Sequence, residues 1–174
     1  MKNYVILAGV LLLTAFLVMG CGGGGAAVGD RVTVDYTGTL GDGTIFNSSI
    51  GKEPLTFVIG DGSVISGFDK AVMGMEVGDT KTFTIPPSEA YGEYREDLVV
   101  TLDCDEFEEV PEVGQKVSLQ NVISGQTLYF TVIAVSDDKV TLDGNNPLAG
   151  QELTFEVELL ALEPAGTFSE SPEE

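Results

Sequence analysis

Two thiols and no imidazole limit the covalent chemistry open to this chain of 174 residues. Cys21 closes an apolar run from Val5 to Met19 and is followed by four glycines, whereas Cys104 stands alone far down the chain. Histidine is absent, which removes the commonest general base and the commonest metal ligand. With Cys21 modified, no intramolecular disulfide can form, even in an oxidising compartment. Cys104 then reads as a buried, inert thiol. The 28 acidic and 8 basic residues give a net charge of −20. That charge excludes nucleic-acid binding by phosphate neutralisation and keeps the chain soluble. The closing residues from Ala165 to Glu174 hold neither histidine nor cysteine. They read as a solvated acidic run rather than a metal site, and no cofactor is expected.

The chemistry at Cys21 depends on what precedes it. The apolar run is shorter than the roughly 20 residues of a membrane-spanning helix. It has the size of a signal-peptide core, with Lys2 supplying the positive start. The segment Val18-Met19-Gly20-Cys21 resembles a lipobox, the cleavage site of prokaryotic lipoproteins. The resemblance implies that residues 1–20 are removed and that Cys21 carries diacylglycerol through a thioether, a bond serine could not supply. An uncleaved anchor and an ordinary signal peptide ending in cysteine are the competing readings. The expected product is a membrane-anchored, extracytoplasmic lipoprotein with residues 21–27 as a Gly-rich tether.

The remaining sequence is mainly strand. From Arg31 to Leu40, Val32, Val34 and Tyr36 alternate with Thr33, Asp35 and Thr37, the period of a half-buried strand. Gly41-Asp42-Gly43 turns the chain into a hairpin partner at Thr44 to Asn47, and Leu55 to Ile59 is a further strand. One short helix is expected after Ser66, with Ser66 as its cap, Asp69 as the reciprocal partner and Gly74 as its terminator. Asp79 to Ile85 and Glu152 to Leu162 resume the alternation, the latter with Leu153, Phe155, Val157 and Leu159 on one face. Between them, Val117 to Leu119, Leu128 to Val135 and Val140 to Leu142 are three more strands, with turns at Ser124-Gly125 and Asp137-Asp138. A single sheet has no need of this block, which reads as a small β domain inserted in a loop. From Glu163 the tail is rich in Pro, Gly, Ser and Glu and reads as disordered.

Six pieces then converge in order: Val34-Asp35-Tyr36-Thr37-Gly38, Gly43-Thr44-Ile45-Phe46-Asn47-Ser48-Ser49, Val64-Ile65-Ser66-Gly67-Phe68, Gly78-Asp79, Ala90-Tyr91-Gly92 and Phe155-Glu156-Val157-Glu158-Leu159. Together they resemble the FKBP-type peptidyl-prolyl cis–trans isomerases over nearly all of Val28 to Glu163. The segments Gly92 to Val99 and Asp143 to Gly150 resemble the two edges of the insert-in-flap domain of the SlyD-like subfamily. The resemblance implies an α+β, mainly β fold: a half β-barrel around one short helix, formed by residues 28–98 and 148–163. A chaperone-like insert would span 99–147 and an acidic tail 164–174.

The family's chemistry suits a chain without nucleophile or metal. Rotation about a peptide bond crosses about 18–20 kcal/mol and breaks no covalent bond. Its twisted transition state has a less polar carbonyl than the planar amide, so a dry apolar pocket favours it. Carried over by motif, Phe68 is the floor, where many relatives have tryptophan. The walls are Tyr36, Phe46, Val64, Ile65 and Phe155, and Tyr91 donates its hydroxyl to a substrate carbonyl. For Phe155 and Phe57 plain core packing is the competing role. Asn47 stands where the family usually has aspartate; it keeps the shape and loses the charge. The implied partners are unfolded or partly folded proteins with X–Pro bonds, met by a monomer tethered to the membrane. The competing reading is a holdase of the same fold with little isomerase activity.

Overall fold

A computed structural model describes residues 24–120 and 125–167. The signal segment, Cys21, Ser124 and the last seven residues lie outside the described residues. Ten regular elements follow in order: β1 (Arg31–Leu40), β2 (Ile45–Ser48), β3 (Leu55–Val58), α1 (Ser66–Val72), β4 (Thr80–Ile85), β5 (Val99–Asp103), β6 (Lys116–Gln120), β7 (Thr127–Val135), β8 (Lys139–Asp143) and β9 (Leu153–Glu163).

They form two antiparallel sheets. The first runs β2-β1-β9-β4, with β3 also paired to β1. Its spine is the pair of β1 with β9, in register from Arg31 opposite Glu163 to Leu40 opposite Leu153. A bulge near Thr33 leaves Leu160 without an opposite residue, since Thr33 faces Ala161 and Val34 faces Leu159. Such an extra residue bends the strand, as wrapping a sheet around a helix demands. The inner faces bury Val32, Val34, Leu153, Phe155, Val157 and Leu159 against Phe68 and Val72 of α1. Gly67 lets the helix approach β4, for a Cβ there would stand 2.3 Å from the Ile85 Cγ2. The strand-rich fold with one short helix is the FKBP-like architecture expected from the sequence.

The second sheet runs β5-β8-β7-β6. It has four strands rather than the expected three, because Val99–Asp103 pairs along β8 from Val99 opposite Asp143 to Asp103 opposite Lys139. Its fully buried core is small: Val132, Val140 and Leu142. Two chain crossings join the sheets. The Arg95 N–H donates to Asn145 Oδ1 at 2.9 Å, and Asn145 Nδ2 donates back to the Arg95 carbonyl at 2.9 Å. The Gly150 N–H donates to the Gly92 carbonyl at 2.8 Å.

Four local expectations need correction. Ser66 does not cap α1; the N-cap is Ile65 and no side chain caps it. The Ser66 hydroxyl instead donates to the Glu89 carbonyl at 3.2 Å, and Asp69 accepts from the Gly60 N–H at 3.0 Å. The tether is not free as far as Ala27. Ala26 is buried and exchanges backbone hydrogen bonds of 2.8 Å with Gly74 and Met75, and Gly25 lies so close that a Cβ would stand 2.2 Å from the Gly74 oxygen. The tail is not disordered from Glu163, which ends β9. Pro164 to Thr167 form a turn in which the Ala165 N–H donates to Asp30 Oδ1 at 2.9 Å. Cys104 is half-buried, and its thiol donates to the Ser136 carbonyl at 3.8 Å.

Candidate active site

The concave side of the first sheet holds a cavity of about 400 Å3. Its lining includes all eight residues that the family resemblance assigned to the site: Tyr36, Phe46, Asn47, Val64, Ile65, Phe68, Tyr91 and Phe155. Leu55, Gly62 and Ser63 complete it. Not one lining residue carries a formal charge, in a chain of net charge −20.

Phe68 sits at the centre of the aromatic set, which suits a floor. Its ring lies 5.1 Å from Phe155, 5.8 Å from both Phe57 and Phe83, and 6.1 Å from Tyr36, edge to face in each case. Such pairs are worth about 0.5–1.5 kcal/mol each beyond area burial. Phe57 and Phe83 are absent from the lining and brace Phe68 from behind, so for Phe57 core packing is the observed role. Phe155 combines both roles: it is 5% exposed, lines the cavity and meets Phe46 edge to face at 5.6 Å.

The backbone beneath these rings explains their positions. Gly38 of β1 lies under Phe46 and Phe155; a Cβ there would stand 2.6 Å from Phe46 Cζ and 3.0 Å from Phe155 Cε1. Any larger residue would lift both walls off the sheet. β2 is held by Ser49, a buried polar residue. Its hydroxyl accepts the Tyr36 N–H at 2.9 Å and donates to Asp35 Oδ1 at 2.7 Å. The sequence hint was only the Ser48-Ser49 pair within a motif, and its bracing role was not read from it. Val64 and Ile65 enter from the segment leading into α1, so the short helix places floor and side wall together.

Tyr91 and Asn47 each bring to the cavity lining a polar group without a hydrogen-bond partner among the described residues. Tyr91 follows the short 3-10 turn Pro87–Glu89; it is 43% exposed and its hydroxyl makes no hydrogen bond among the described residues. Asn47 spends its Oδ1 on the Ser48 N–H at 2.8 Å, leaving Nδ2 free to donate. Burial, and after it the nearby Tyr91, raise the Tyr36 phenol above its ordinary pKa, so this wall stays neutral. The site therefore offers an aromatic box, a neutral phenol and hydrogen-bond donors at its rim. It can desolvate a proline ring and hold a carbonyl; it contains no group suited to nucleophilic attack.

Comparisons with known proteins agree with this geometry. Residues 23–160 match the family model described as FKBP-type peptidyl-prolyl cis-trans isomerase. The chain is 37% identical over 151 residues to the short-type peptidyl-prolyl cis-trans isomerase of Methanocaldococcus jannaschii, covering 79% of this chain and 94% of that protein. It is 34% identical over 137 residues to the FKBP-type 16 kDa isomerase of Escherichia coli, covering 77% and 91%. With the SlyD isomerase of Vibrio cholerae it shares 35% over 130 residues, 75% of this chain and 65% of that one. An uncharged aromatic pocket on a half-barrel, together with a family match across most of the chain, makes this protein a member of the FKBP-type peptidyl-prolyl cis-trans isomerases.

Proposed function

We propose that this isomerase is tethered to the membrane through Cys21 and assists the folding of exported proteins, with the second sheet holding the client while the pocket turns its prolyl bonds. The observation that carries the holding role is the contrast between the sheets. The second has three fully buried side chains, yet it exposes Leu128, Tyr129, Ile133 and Val135 along β7. Among the described residues its edge strand β6 pairs only with β7, which leaves the other side of β6 to an extended chain.

The chemistry follows from the cavity. Proline enters over Phe68, between Tyr36, Phe46 and Phe155, and loses its water. The amide's planar form is the more polar, so removing water raises the ground state more than the twisted transition state. Tyr91 donates to a carbonyl of the substrate chain and fixes it while the bond turns. No proton, electron or metal is required at any step. Lipobox-like residues Val18 to Cys21 support the anchor, and the charge of −20 supports a soluble monomer on that tether.

The experiment is a deletion of residues 99–147 closed by a short loop, compared with the full chain in two assays after both are shown to be folded. Turnover of a prolyl tetrapeptide should be spared, whereas catalysis of proline-limited refolding of a whole protein should fall by ten-fold or more, since holding acts through effective concentration, roughly a 10²–10⁴-fold effect in linked systems. Equal losses in both assays would assign the second sheet to support of the pocket. No loss in either would remove its holding role.

A further inference from the structure

A second hollow of about 280 Å3 adjoins the proline pocket and shares the wall made by Tyr36, Asn47 and Leu55. Beyond that shared wall its lining is mostly polar side chains, among them Ser48, Lys52 and Glu53, whereas the first is mainly aromatic and aliphatic. Asn47 is the partition between them. Its free Nδ2 stands at the boundary because Oδ1 is held by the Ser48 N–H. Lys52 Nζ donates to the Ser48 carbonyl at 3.1 Å, which keeps the ammonium on the same turn. Arg31, Lys70, Arg95 and Lys139 each meet a carboxylate. Lys52 meets a carbonyl instead, and Glu53 beside it is not within ion-pair distance.

We propose that this hollow receives the side chain bonded next to the isomerising proline, and that Lys52 and Asn47 Nδ2 favour an acidic residue there. The inference rests on the isomerase activity of the adjoining pocket. A residue neighbouring proline has its Cα about 3.8 Å away across a trans bond and about 2.9 Å across a cis one. Its side chain must therefore fall against whichever wall borders the pocket, and on one side that wall is Asn47. The overall negative charge opposes acidic clients at long range. At physiological ionic strength, however, exposed charges beyond about 8 Å are largely screened, which leaves selection to the nearest cation and the nearest donor.

The test uses two sets of prolyl peptides, with Glu, Gln, Leu or Lys either directly before or directly after proline, turned over by the full chain. The Leu peptides report the isomerase itself. In one of the two sets, kcat/KM for the Glu peptide should exceed that for the Lys peptide by about two- to five-fold, the size of an exposed ion pair, and added salt should shrink the ratio. Lys52→Gln should bring the ratio close to one, and Lys52→Glu should invert it. Turnover of Leu peptides with no discrimination between Glu and Lys in either set would overturn the proposal and leave the isomerase intact. So would a ratio that survives unchanged in Lys52→Gln.

Discussion

Tyr91 and Phe155 serve the same pocket from opposite environments. Tyr91 is 43% exposed with an unused hydroxyl, and Phe155 is 5% exposed among four other rings. Tyr91→Phe removes one neutral hydrogen bond, worth about 0.5–1.5 kcal/mol, so kcat/KM on prolyl peptides should fall about two- to twelve-fold with unchanged stability. An unchanged kcat/KM would show that the hydroxyl has no part in turnover. Phe155→Ala is harder to interpret: emptying such a site costs about 3–5 kcal/mol of stability, a large share of the ~5–15 kcal/mol a domain possesses. Phe155→Leu keeps the wall apolar and tests the aromatic edge; its kcat/KM should drop while the melting temperature moves by only a few degrees. The family motifs made these residues legible, because each aromatic sits at a fixed place in an ordered set. Ser49 and Phe83 were not legible. A serine bracing a strand crossing and a phenylalanine behind a floor are defined by partners distant in sequence, not by local pattern.

Most strands were legible because their alternation is unambiguous, as in Leu153 to Leu159, where every second residue is buried. The helix start was not, because Ser66 and Asp69 are suited to a cap and are drawn away by Glu89 and Gly60, partners that only the tertiary fold supplies. β5 was not legible, because Val99–Asp103 is short and follows directly on another short 3-10 turn. The crossing between the sheets carries a prediction of its own. Partial burial pushes the Asp143 carboxyl up, and hydrogen bonds from the Asn145 N–H, the Asn145 side chain and Tyr94 outweigh this and hold it below the ordinary value of 3.8. A folded-state pKa below the unfolded one means that this stabilisation is complete well above pH 3.8 and is lost as pH falls through that value and then through the lowered one. Amide exchange at Arg95 and Asn145 should therefore accelerate in acid, over and above its intrinsic pH dependence. Asp143→Asn should flatten that extra acceleration, and an identical acid response in both proteins would show that Asp143 does not control the crossing.

At the scale of the whole molecule, the first and last described segments meet at one side chain, Asp30. The Asp30 carboxylate accepts the Ala27 N–H at 2.9 Å through Oδ2 and the Ala165 N–H at 2.9 Å through Oδ1, so one side chain pins the incoming and outgoing chain together. α1 links the cavity to the N-terminal segment: its N-terminal approach, Val64 and Ile65, lines the cavity, and the turn after its C-terminus, Gly74 and Met75, holds Ala26. A tether docked there changes the expected geometry of the anchor. Four Cα steps lead from Cys21 to Gly25, a reach of about 14 Å at full extension. A lipid on Cys21 would thus keep the barrel close to the bilayer. Two substitutions separate anchor from dock. Cys21→Ser should abolish lipid labelling and leave an unprocessed precursor with the stability of the fold unaltered; processing and labelling like the parent would overturn the lipoprotein reading. Gly25→Val should leave labelling and tetrapeptide turnover intact, since Gly25 does not line the cavity. It cannot keep the Ala26 pairing, because its Cβ would stand 2.2 Å from the Gly74 oxygen. Losing those two hydrogen bonds and the burial of Ala26 should cost about 2 kcal/mol, seen as a melting temperature lower by several degrees. A melting temperature equal to the parent's would mean that the docked segment contributes nothing to the fold and leaves the barrel free to turn on its anchor.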